Sequence, residues 1–404
     1  MLRAMAEQPV REFDAVIVGG GIAGLWLLDE LARSGRRAVL LERAALGLGQ
    51  TMWSQGIIHG GVKYTLTGML NPSAEAIREM PGVWRACLDG RREPDLSGAP
   101  LRGSHCFLWQ TSSFSSRLGM LGARVGLRVA PVALSRQERP EPLKNCPGVV
   151  ARLDEQVIDA GAVLRVLAGR HAGRVLHTAG AAVHMSREGE GVRISISRPT
   201  AGGGLRELIL RAARLILTAG SGNAALRSAM GLQDGRTQVR PLHQVMLRGE
   251  LPELNGHCVD GSATRATVTS ATDLAGRRVW QVGGQIAESG VGMEPPALID
   301  HAKRELAACL PGVRLDGAEW ATYRADRAEM RSASGRRPDD ATVLSEGPVI
   351  TAWPTKLALA PRLAEMVVGA MPGTMGGRAA ELSIDWPSPP VAIPPWEEPR
   401  VWRR

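Results

Sequence analysis

The sequence predicts an α/β protein in two parts, one built on a parallel sheet and one on an antiparallel sheet. Three observations favour this fold class: a β-branched run, clustered glycines and a helical pattern near the N-terminus; two later strand–turn–helix stretches; and a middle region of alternating strands. The chain has 404 residues, 44% of them hydrophobic. That length is enough for about two or three domains.

The first predicted element is a buried strand at residues 14–18, which lies between a charged residue and a glycine cluster. Gly19, Gly21 and Gly24 follow at G-x-G-x-x-G spacing, and a helix is predicted in IAGLWLLDELARSG. The glycines permit a tight turn, the approach of backbone N–H groups to a pyrophosphate, and close helix–strand packing. A second strand, RAVLLE, ends in Glu42, whose carboxylate can accept ribose hydroxyls. Together these elements predict a Rossmann-like domain that binds FAD or NAD in preference to NADP.

A long glycine-punctuated loop follows Glu42 and includes the stretch IIHGGVKYTL. An NAD dehydrogenase of the simple doubly wound kind would continue here with further β–α units. The loop instead resembles that of the FAD-dependent D-amino-acid oxidase superfamily. Its IIHGG most resembles the branch of FAD-linked glycerol-3-phosphate and 2-hydroxyglutarate dehydrogenases. The resemblance implies an FAD-binding domain of the glutathione-reductase type, with FAD contacts from Glu42, Arg43, Thr51, Ser54, Gly56, His59 and Gly60.

A second stretch, RAARLILTAGSGNAALRSAMG, predicts a strand, a turn at Ala219 and Gly220, and a helix. It is similar to the second FAD-contact motif of the superfamily. The cofactor implied by the resemblance is non-covalent FAD, because Trp53 stands where relatives with covalent flavin carry the attachment histidine.

A third stretch, GPVITAWPTKLALAPRLAEMVV, predicts a strand, a turn and a helix entered through Pro361. It resembles the last FAD motif of the superfamily, in which a helix N-terminus points at the pyrimidine edge of the flavin. The turn residues Thr355, Lys356 and Leu357 are similar to a Gly-Lys-Leu-Thr run in the glycerol-3-phosphate branch.

The order of these motifs predicts a discontinuous FAD-binding domain. Between the first two motifs, a helix followed by a small β-meander is expected. Strands in QVRPLHQVMLRGELP, ATVTSATD and RRVWQVGGQ, with a helix in PALIDHAKRELAACLPG, predict a second, antiparallel-sheet α+β substrate domain. The expected division is residues 1–90, 150–230 and 325–385 for the FAD-binding domain, 91–149 and 231–324 for the substrate domain, and 386–404 for a proline-rich C-terminal arm.

Four side chains are candidates for catalytic roles. His59 is a base, an electrophilic contact to the flavin, or a histidine that only stabilises the loop. By resemblance, Arg324 clamps a substrate carboxylate or phosphate; the alternative is a surface ion pair. Tyr64 contacts the substrate or packs within its loop. Lys356 neutralises the charge of reduced flavin, or is a solvated loop lysine.

The net charge of +9 comes almost entirely from arginines spread along the chain, without a basic run. We therefore do not expect a nucleic-acid partner. A peripheral contact with a membrane, through the basic surface or the arm, stays open. The five cysteines show no CxxC and no metal-ligand spacing with histidine, so no metal site is predicted. With no signal peptide pattern and no long apolar run, the expected location is the cytoplasm, with the inner membrane face as the alternative.

These observations predict an FAD-dependent dehydrogenase or oxidase. The expected substrate is a small anionic hydroxy compound of the glycerol 3-phosphate or 2-hydroxy acid type, which passes a hydride to the flavin. The electron acceptor stays open among oxygen, a quinone and a carrier. Two alternatives remain: an amino-acid or secondary-amine oxidase, and a flavin-containing RNA-associated or assembly protein in which FAD is structural.

Overall fold

The computed structural model describes residues 10–61, 76–111, 131–200, 202–260, 263–372 and 383–404. Its strands are β1 (Val10–Val18), β2 (Ala38–Glu42), β3 (Leu101–Gly103), β4 (Cys106–Gln110), β5 (Val132–Ala133), β6 (Val150–Leu153), β7 (Val157–Ile158), β8 (Val175–His177), β9 (Ala182–Glu188), β10 (Gly191–Pro199), β11 (Leu205–Leu217), β12 (Thr237–Arg240), β13 (His243–Gly249), β14 (Gly256–Asp260), β15 (Ala263–Thr272), β16 (Arg278–Gly283), β17 (Glu319–Arg324), β18 (Arg327–Met330), β19 (Thr342–Glu346) and β20 (Val349–Trp353). Its α-helices are α1 (Ile22–Arg33), α2 (Met80–Leu88), α3 (Ala160–Gly169), α4 (Asn223–Ala229), α5 (Gln285–Ser289), α6 (Pro295–Cys309) and α7 (Ala360–Ala370).

The chain folds into two compact units, each assembled from three separate segments. The first unit comprises Met1–Leu48, Leu164–Gln238 and Ala328–Ala392. The second unit comprises Gly49–Val163, Val239–Arg327 and Ile393–Arg404.

The first unit contains an eight-stranded sheet with the order β19-β20-β11-β1-β2-β8. Its central strands run parallel: β1 pairs with β11 and β2, β2 with β8, and β11 with β20. The antiparallel strands β9 and β10 continue from β11, which is the meander expected from the sequence. This parallel sheet, together with the sheet-rich second unit, confirms the predicted α/β fold class.

Burial explains the near-continuous apolar run of β1. Ala15, Val16 and Ile17 are all fully buried, as expected for a parallel strand covered on both faces. The helices α1 and α7 pack against each other. A hydrophobic core that includes Phe13, Val39 and Leu215 lies within this unit. The strands are thereby fixed in position, and the turns that follow them are fixed with them.

Four parallel strands place their following turns at one edge of the first sheet. The strands β1, β2, β11 and β20 run in the same direction and end at Val18, Glu42, Leu217 and Trp353. Ligands of open α/β sheets bind outside the carboxyl ends of the strands. All three nucleotide motifs of the sequence therefore meet at this edge.

The second unit contains an eight-stranded sheet with the order β17-β13-β16-β15-β14-β4-β6-β5. Neighbouring strands are antiparallel except β14 and β4. Helix α6 packs on this sheet, and the core of this unit includes Trp109, Trp280 and Leu306. A separate apolar cluster around Met246 and Tyr323 is covered by tryptophans, among them Trp53, Trp396 and Trp402.

The observed units divide the chain differently from the expected domains. The second unit takes residues 49–61, 76–90, 150–163 and 325–327, which were expected in the FAD-binding domain, and the first unit takes residues 231–238 and 386–392, which were expected outside it. The loop after Gly49 belongs to the second unit, where Ile57 forms a β-bridge with Val157. The start of the proline-rich arm belongs to the first unit, where Trp386 Nε1 donates to the His177 carbonyl at 2.9 Å. In both cases, backbone or indole hydrogen bonds tie a segment to residues distant in sequence, which composition alone does not indicate.

Candidate functional site

The glycine turn after β1 is so tightly packed that side chains could not be accommodated. Gly19 has a φ of 115°, and a Cβ there would lie 2.6 Å from the Ala219 Cα. A Cβ on Gly24 would lie 2.0 Å from the Gly19 carbonyl oxygen. Gly21 is the N-cap of α1, and the first turn of that helix contains no acidic residue. The positive end of the helix is therefore suited to an anion such as a pyrophosphate.

Glu42 ends β2 directly beside this turn. Its Oε2 accepts a hydrogen bond from the Gly20 N–H at 2.7 Å, and its Oε1 accepts one from the Ala44 N–H at 2.7 Å. These bonds hold the carboxylate at the carboxyl edge of the sheet, where a ribose of the nucleotide would lie. The neighbouring Arg43 side chain is exposed.

The second motif is joined to both of its neighbours by hydrogen bonds. The Thr218 Oγ1 donates to the Gly19 carbonyl at 2.9 Å, and the fully buried Asn223 accepts from the Ala219 N–H at 2.8 Å. Asn223 also donates to the Ala352 carbonyl in β20 at 3.3 Å. Gly220 has a φ of 58°, which favours glycine. The three motifs are therefore one connected arrangement within the first unit.

The third motif contains the one positive φ among the non-glycine residues that the structure describes. Thr355 has a φ of 58°, and the Lys356 N–H donates to the Pro354 carbonyl across it at 2.6 Å. The Nζ of the buried Lys356 donates to the Asp339 carbonyl at 3.0 Å. Leu357 then begins a short 3-10 helix, and Pro361 lies in the first turn of α7, as the sequence indicates.

These residues fit a dinucleotide with a diphosphate and a ribose. The glycine turn packs its backbone so closely that a Cβ would clash, a helix N-terminus lies at that turn, and a carboxylate stands beside it. The structure brings together the predicted cofactor residues Gly19, Gly21, Gly24, Glu42, Ala219, Gly220, Thr355, Lys356 and Leu357, all within the first unit.

The exposed Arg43 also lies in the first unit, and the remaining predicted residues lie in the second unit or outside the described residues. The Thr51 carbonyl accepts from the Ser54 hydroxyl at 2.8 Å. Gly56 has a φ of 77°, and a Cβ on it would lie 2.5 Å from the Ile158 carbonyl oxygen. These contacts fix the loop against β7. Tyr64 lies outside the residues that the structure describes.

Arg324 is exposed at the end of β17, where its Nη1 donates to the Val291 carbonyl at 3.0 Å. Its neighbour across the strand pair is His243, whose Nε2 lies 2.9 Å from the Thr322 hydroxyl. Burial and the Arg324 charge lower the pKa of His243. Arg324 stays a prediction for binding the substrate anion.

Tyr323, like Tyr64 a possible substrate contact from the sequence, lies in a buried polar network whose other members are the first feature that the sequence analysis missed. The Tyr323 hydroxyl lies 2.8 Å from the Gln281 amide nitrogen and 3.0 Å from the Gln244 amide oxygen. Arg102 joins this network by donating to Gln281 Oε1 at 3.1 Å and to the Ser270 carbonyl at 2.9 Å. Burial raises the pKa of Tyr323 and lowers that of Arg102 to about 10, so the phenol stays neutral and the guanidinium charged near pH 7. The presence of only two tyrosines in the chain was the one available signal.

The second missed feature is a cluster of His59, Glu155 and His257. The Glu155 Oε2 lies 3.5 Å from the His59 Nδ1 and 3.7 Å from the His257 Nε2. Both Glu155 and His257 are buried. Burial raises the pKa of the Glu155 carboxyl, but the interactions with His257 and His59 outweigh it and hold the pKa well below its usual range. No sequence spacing connects these three positions.

Among the described residues, no helix combines the length and the apolar character needed to cross a membrane.

Comparisons with known proteins point the same way as the geometry. A family model described as FAD dependent oxidoreductase (DAO) matches residues 14–360. The chain is 41% identical over 391 residues to the probable FAD-dependent oxidoreductase PA4991 of Pseudomonas aeruginosa, covering 95% of this chain and 97% of that protein. The crystal structure of PA4991 matches with a TM-score of 0.78 at 37% identity, covering 96% of this chain and 99% of that one.

Two more distant relatives have names that state an activity on a glycerophosphate. Glycerol-3-phosphate dehydrogenase 1 of Mycobacterium tuberculosis is 31% identical over 83 residues, which is 20% of this chain and 15% of that protein. The FAD-bound L-α-glycerophosphate oxidase from Mycoplasma pneumoniae has a TM-score of 0.64 at 15% identity, covering 93% of this chain and 98% of that one. At that identity the likeness shows a shared fold alone.

Proposed function

Because this chain belongs to the family of FAD-dependent oxidoreductases, we propose that it oxidises a C–H bond of a small anionic hydroxy compound, of the glycerol 3-phosphate or 2-hydroxy acid type. FAD is the cofactor, and when bound it supplies a hydride acceptor. The observation that carries the redox function is the meeting of three motifs at one sheet edge: Gly19 contacts Ala219, and Asn223 binds the Ala352 carbonyl.

The residues of the first unit bind and orient the cofactor. Gly21 and the first turn of α1 would hold the diphosphate, and Glu42 would accept hydrogen bonds from a ribose. The buried Lys356 ammonium, at the N-cap of the 3-10 helix that precedes α7, would stabilise negative charge in the pyrimidine part of the ring. Covalent attachment of FAD is not expected, since Trp53 stands where, by the resemblance, relatives with covalent flavin carry the attachment histidine.

The anionic character of the substrate is supported by Arg102 in the second unit. Its two hydrogen-bond acceptors among the described residues, the Ser270 carbonyl and the Gln281 amide oxygen, are uncharged, and the charge of Asp159 also acts on the guanidinium. A partly buried guanidinium with neutral acceptors attracts a carboxylate or phosphate strongly, because solvent screening is weak there. The exposed Arg324 is a second guanidinium for the same role. The hydroxyl character is supported by the IIHGG loop and by the local similarity to a glycerol-3-phosphate dehydrogenase.

Anaerobic reduction of the bound flavin tests this function. The purified holoprotein is mixed without oxygen with glycerol 3-phosphate, 2-hydroxy acids, α-amino acids and secondary amines, and the visible flavin absorption is recorded. We expect bleaching by one of the anionic hydroxy compounds. Bleaching by amines alone would support the amine oxidase alternative. No bleaching by any compound, with RNA binding that weakens as salt rises, would support a structural role for FAD.

An Arg102→Gln variant tests the anion-binding step. Loss of the guanidinium should raise the KM for the bleaching substrate by about 10-fold or more, because a charge-assisted hydrogen bond is worth about 1.5–3 kcal/mol. Arg248→Gln is the matched control, since Arg248 lies in the same unit but is paired with Glu319 at 2.8 Å. An unchanged KM in Arg102→Gln would contradict the assignment.

A further inference from the structure

The cluster of His59, Glu155 and His257 lies wholly within the second unit, and three distant segments build it. Backbone pairing brings the first two together: Ile57 bridges Val157, and the Ile58 N–H donates to the Gln156 carbonyl at 2.8 Å. His257 lies on β14, which pairs in parallel with β4. The positions of the three side chains are therefore set by the fold.

The two oxygens of the Glu155 carboxylate have different contacts. Its Oε1 accepts the Gly60 N–H at 2.7 Å. Its Oε2 is buried, and the two imidazole nitrogens that face it lie 3.5 and 3.7 Å away. These separations exceed an ordinary N–H···O hydrogen bond of about 2.7–3.2 Å. An ionised carboxylate that is 2% exposed normally requires closer compensation for its lost hydration.

The 3.5 Å separation matches that between ligands that share one metal ion, and the 3.7 Å separation is slightly longer. In a tetrahedral zinc site with bonds of about 2.0–2.2 Å, ligand atoms lie about 3.3–3.5 Å from one another. The three ligand atoms of this cluster all lie within 4.8 Å of one another. Small side-chain rotations would bring them to bonding distance of a common ion. Two imidazole nitrogens and one carboxylate oxygen are ligands that a divalent transition metal prefers.

The surrounding residues orient the ligands as metal sites require. The His257 Nδ1 lies 2.9 Å from the Thr267 hydroxyl, its partner in the β14–β15 register, so Nε2 is turned toward Glu155. The Gly60 N–H fixes the carboxylate in the same way. Such outer contacts are typical partners of ligating histidines and carboxylates. His59 keeps 18% of its side chain exposed, which leaves one side of the cluster open.

We propose that His59 Nδ1, Glu155 Oε2 and His257 Nε2 form a binding site for one divalent transition-metal ion of the zinc type, with a fourth position open on the side of His59. The site does not depend on the identity of the oxidised substrate. Ligation through Nδ1 gives His59 a role different from the proton acceptor considered from the sequence.

Metal titration of the full-length holoprotein tests this site. The protein with bound FAD is treated with a chelator, exchanged into metal-free buffer and dialysed against ZnCl₂; bound zinc is then measured by mass spectrometry, and affinity by isothermal titration. We expect about one Zn²⁺ per chain, bound at least about 100-fold more weakly by His59→Gln and Glu155→Gln. Co²⁺ should give a visible d–d absorption that both variants lose.

The control variant is His105→Gln, because His105 is a half-buried histidine of the same unit that contacts Ser104 and Phe107 instead of the cluster. It should bind zinc like the unaltered protein. Circular dichroism and retained flavin colour establish that each variant is folded. Zinc uptake below about one-tenth of an equivalent, or equal affinity in all four proteins, would overturn the proposal whatever the outcome of the flavin assay.

Discussion

At the scale of single residues, the backbone of Thr355 departs furthest from what its side chain favours. A β-branched residue at a φ of 58° is strained by about 1–2 kcal/mol, and its hydroxyl donates to the Pro354 carbonyl at 2.7 Å. Such strain persists only where surrounding contacts impose it. Here the strained turn lies between β20 and the start of α7, in the motif that resembles a flavin contact.

The strain at Thr355 can be measured by comparing two variants. Thr355→Gly should be more stable than Thr355→Ala by about 1 kcal/mol, since only glycine adopts the positive φ without a Cβ penalty. Both variants lack the hydroxyl, so their difference isolates the backbone effect. Urea unfolding of the two proteins gives the free energies. Equal stability of the two variants would show that the turn is relaxed.

A second residue-scale prediction concerns Asp29, a fully buried carboxylate on α1. Burial raises its pKa, but hydrogen bonds from His171, Arg170 and Arg33 outweigh burial and hold the pKa well below its usual range. A lowered folded-state pKa contributes stability above the unfolded value of about 3.9 and loses it as the pH falls below that value. Asp29→Asn should therefore be less stable at pH 7, by about 1–2 kcal/mol.

The difference between the unaltered protein and Asp29→Asn should shrink as the pH is lowered from about 5 to about 3, since the native carboxyl then loses its advantage. Melting temperatures measured by calorimetry across that pH range give the stability difference between the two proteins. Asp316→Asn, which changes an exposed carboxylate, is the control and should show no such trend. A constant difference at every pH would contradict the assigned cause.

The sequence identified those site residues whose chemistry follows from local pattern. Gly19, Gly21 and Gly24 act within one turn, so their spacing was sufficient to predict it. The sequence did not identify Glu155 and His257, because their meeting with His59 depends on strand pairing across distant segments. Arg102 was missed for the same reason.

At the scale of elements, the first strand–turn–helix packs closely against the second motif. Gly24 lies in α1 and packs against both the glycine turn and the second motif. A Cβ on Gly24 would lie 2.8 Å from the Thr218 hydroxyl, in addition to its overlap with the Gly19 carbonyl. The helix cannot move away, because it also packs against α7. The turn, the second motif and the helix therefore respond together to a change at this position.

Gly24→Ala should weaken FAD binding by about 10-fold or more and lower the melting temperature, because the added methyl overlaps the Gly19 carbonyl and forces the turn open. Fluorescence titration of the apoprotein with FAD measures the affinity. Gly169→Ala is the matched control within the first unit, since nothing lies within 4 Å of a Cβ at that helical glycine. An FAD affinity equal in both variants would contradict the close approach.

The elements near the motifs could be predicted from the sequence because strand, cap and helix signals are local. The order of strands in the second sheet could not, since β14 pairs in parallel with β4, which belongs to a different segment of the unit, and pairs antiparallel with β15 on its other side. The loop after Gly49 was expected in the FAD-binding domain because it follows Glu42 in the chain. Its pairing with β7 places it in the second unit.

At the scale of the whole molecule, FAD binding and stability are linked. A ligand that binds only the folded protein stabilises it by about 2.7 kcal/mol at 100 times its Kd. If FAD is bound without a covalent bond, as the resemblance at Trp53 predicts, the cofactor should be released without cleavage of a covalent bond. Removing FAD should therefore lower the melting temperature, and adding it back should restore the original value.

Acid precipitation checks this prediction directly. The flavin colour should appear in the supernatant. The precipitated chain should be colourless, and its mass should be that of the polypeptide without an attached flavin. Refolded apoprotein titrated with FAD should regain both colour and thermal stability. Flavin that stays with the precipitated chain would contradict non-covalent binding.

The threefold segmentation of each unit has a consequence for how the protein is made. In the first sheet, β1 lies between β2 and β11, and β11 pairs with β20 near the end of the chain. A ribosome therefore releases the N-terminal strand long before its later neighbours exist, and the arrangement is completed only when Val349–Trp353 has emerged. Premature termination anywhere before that strand leaves an open β edge prone to aggregation.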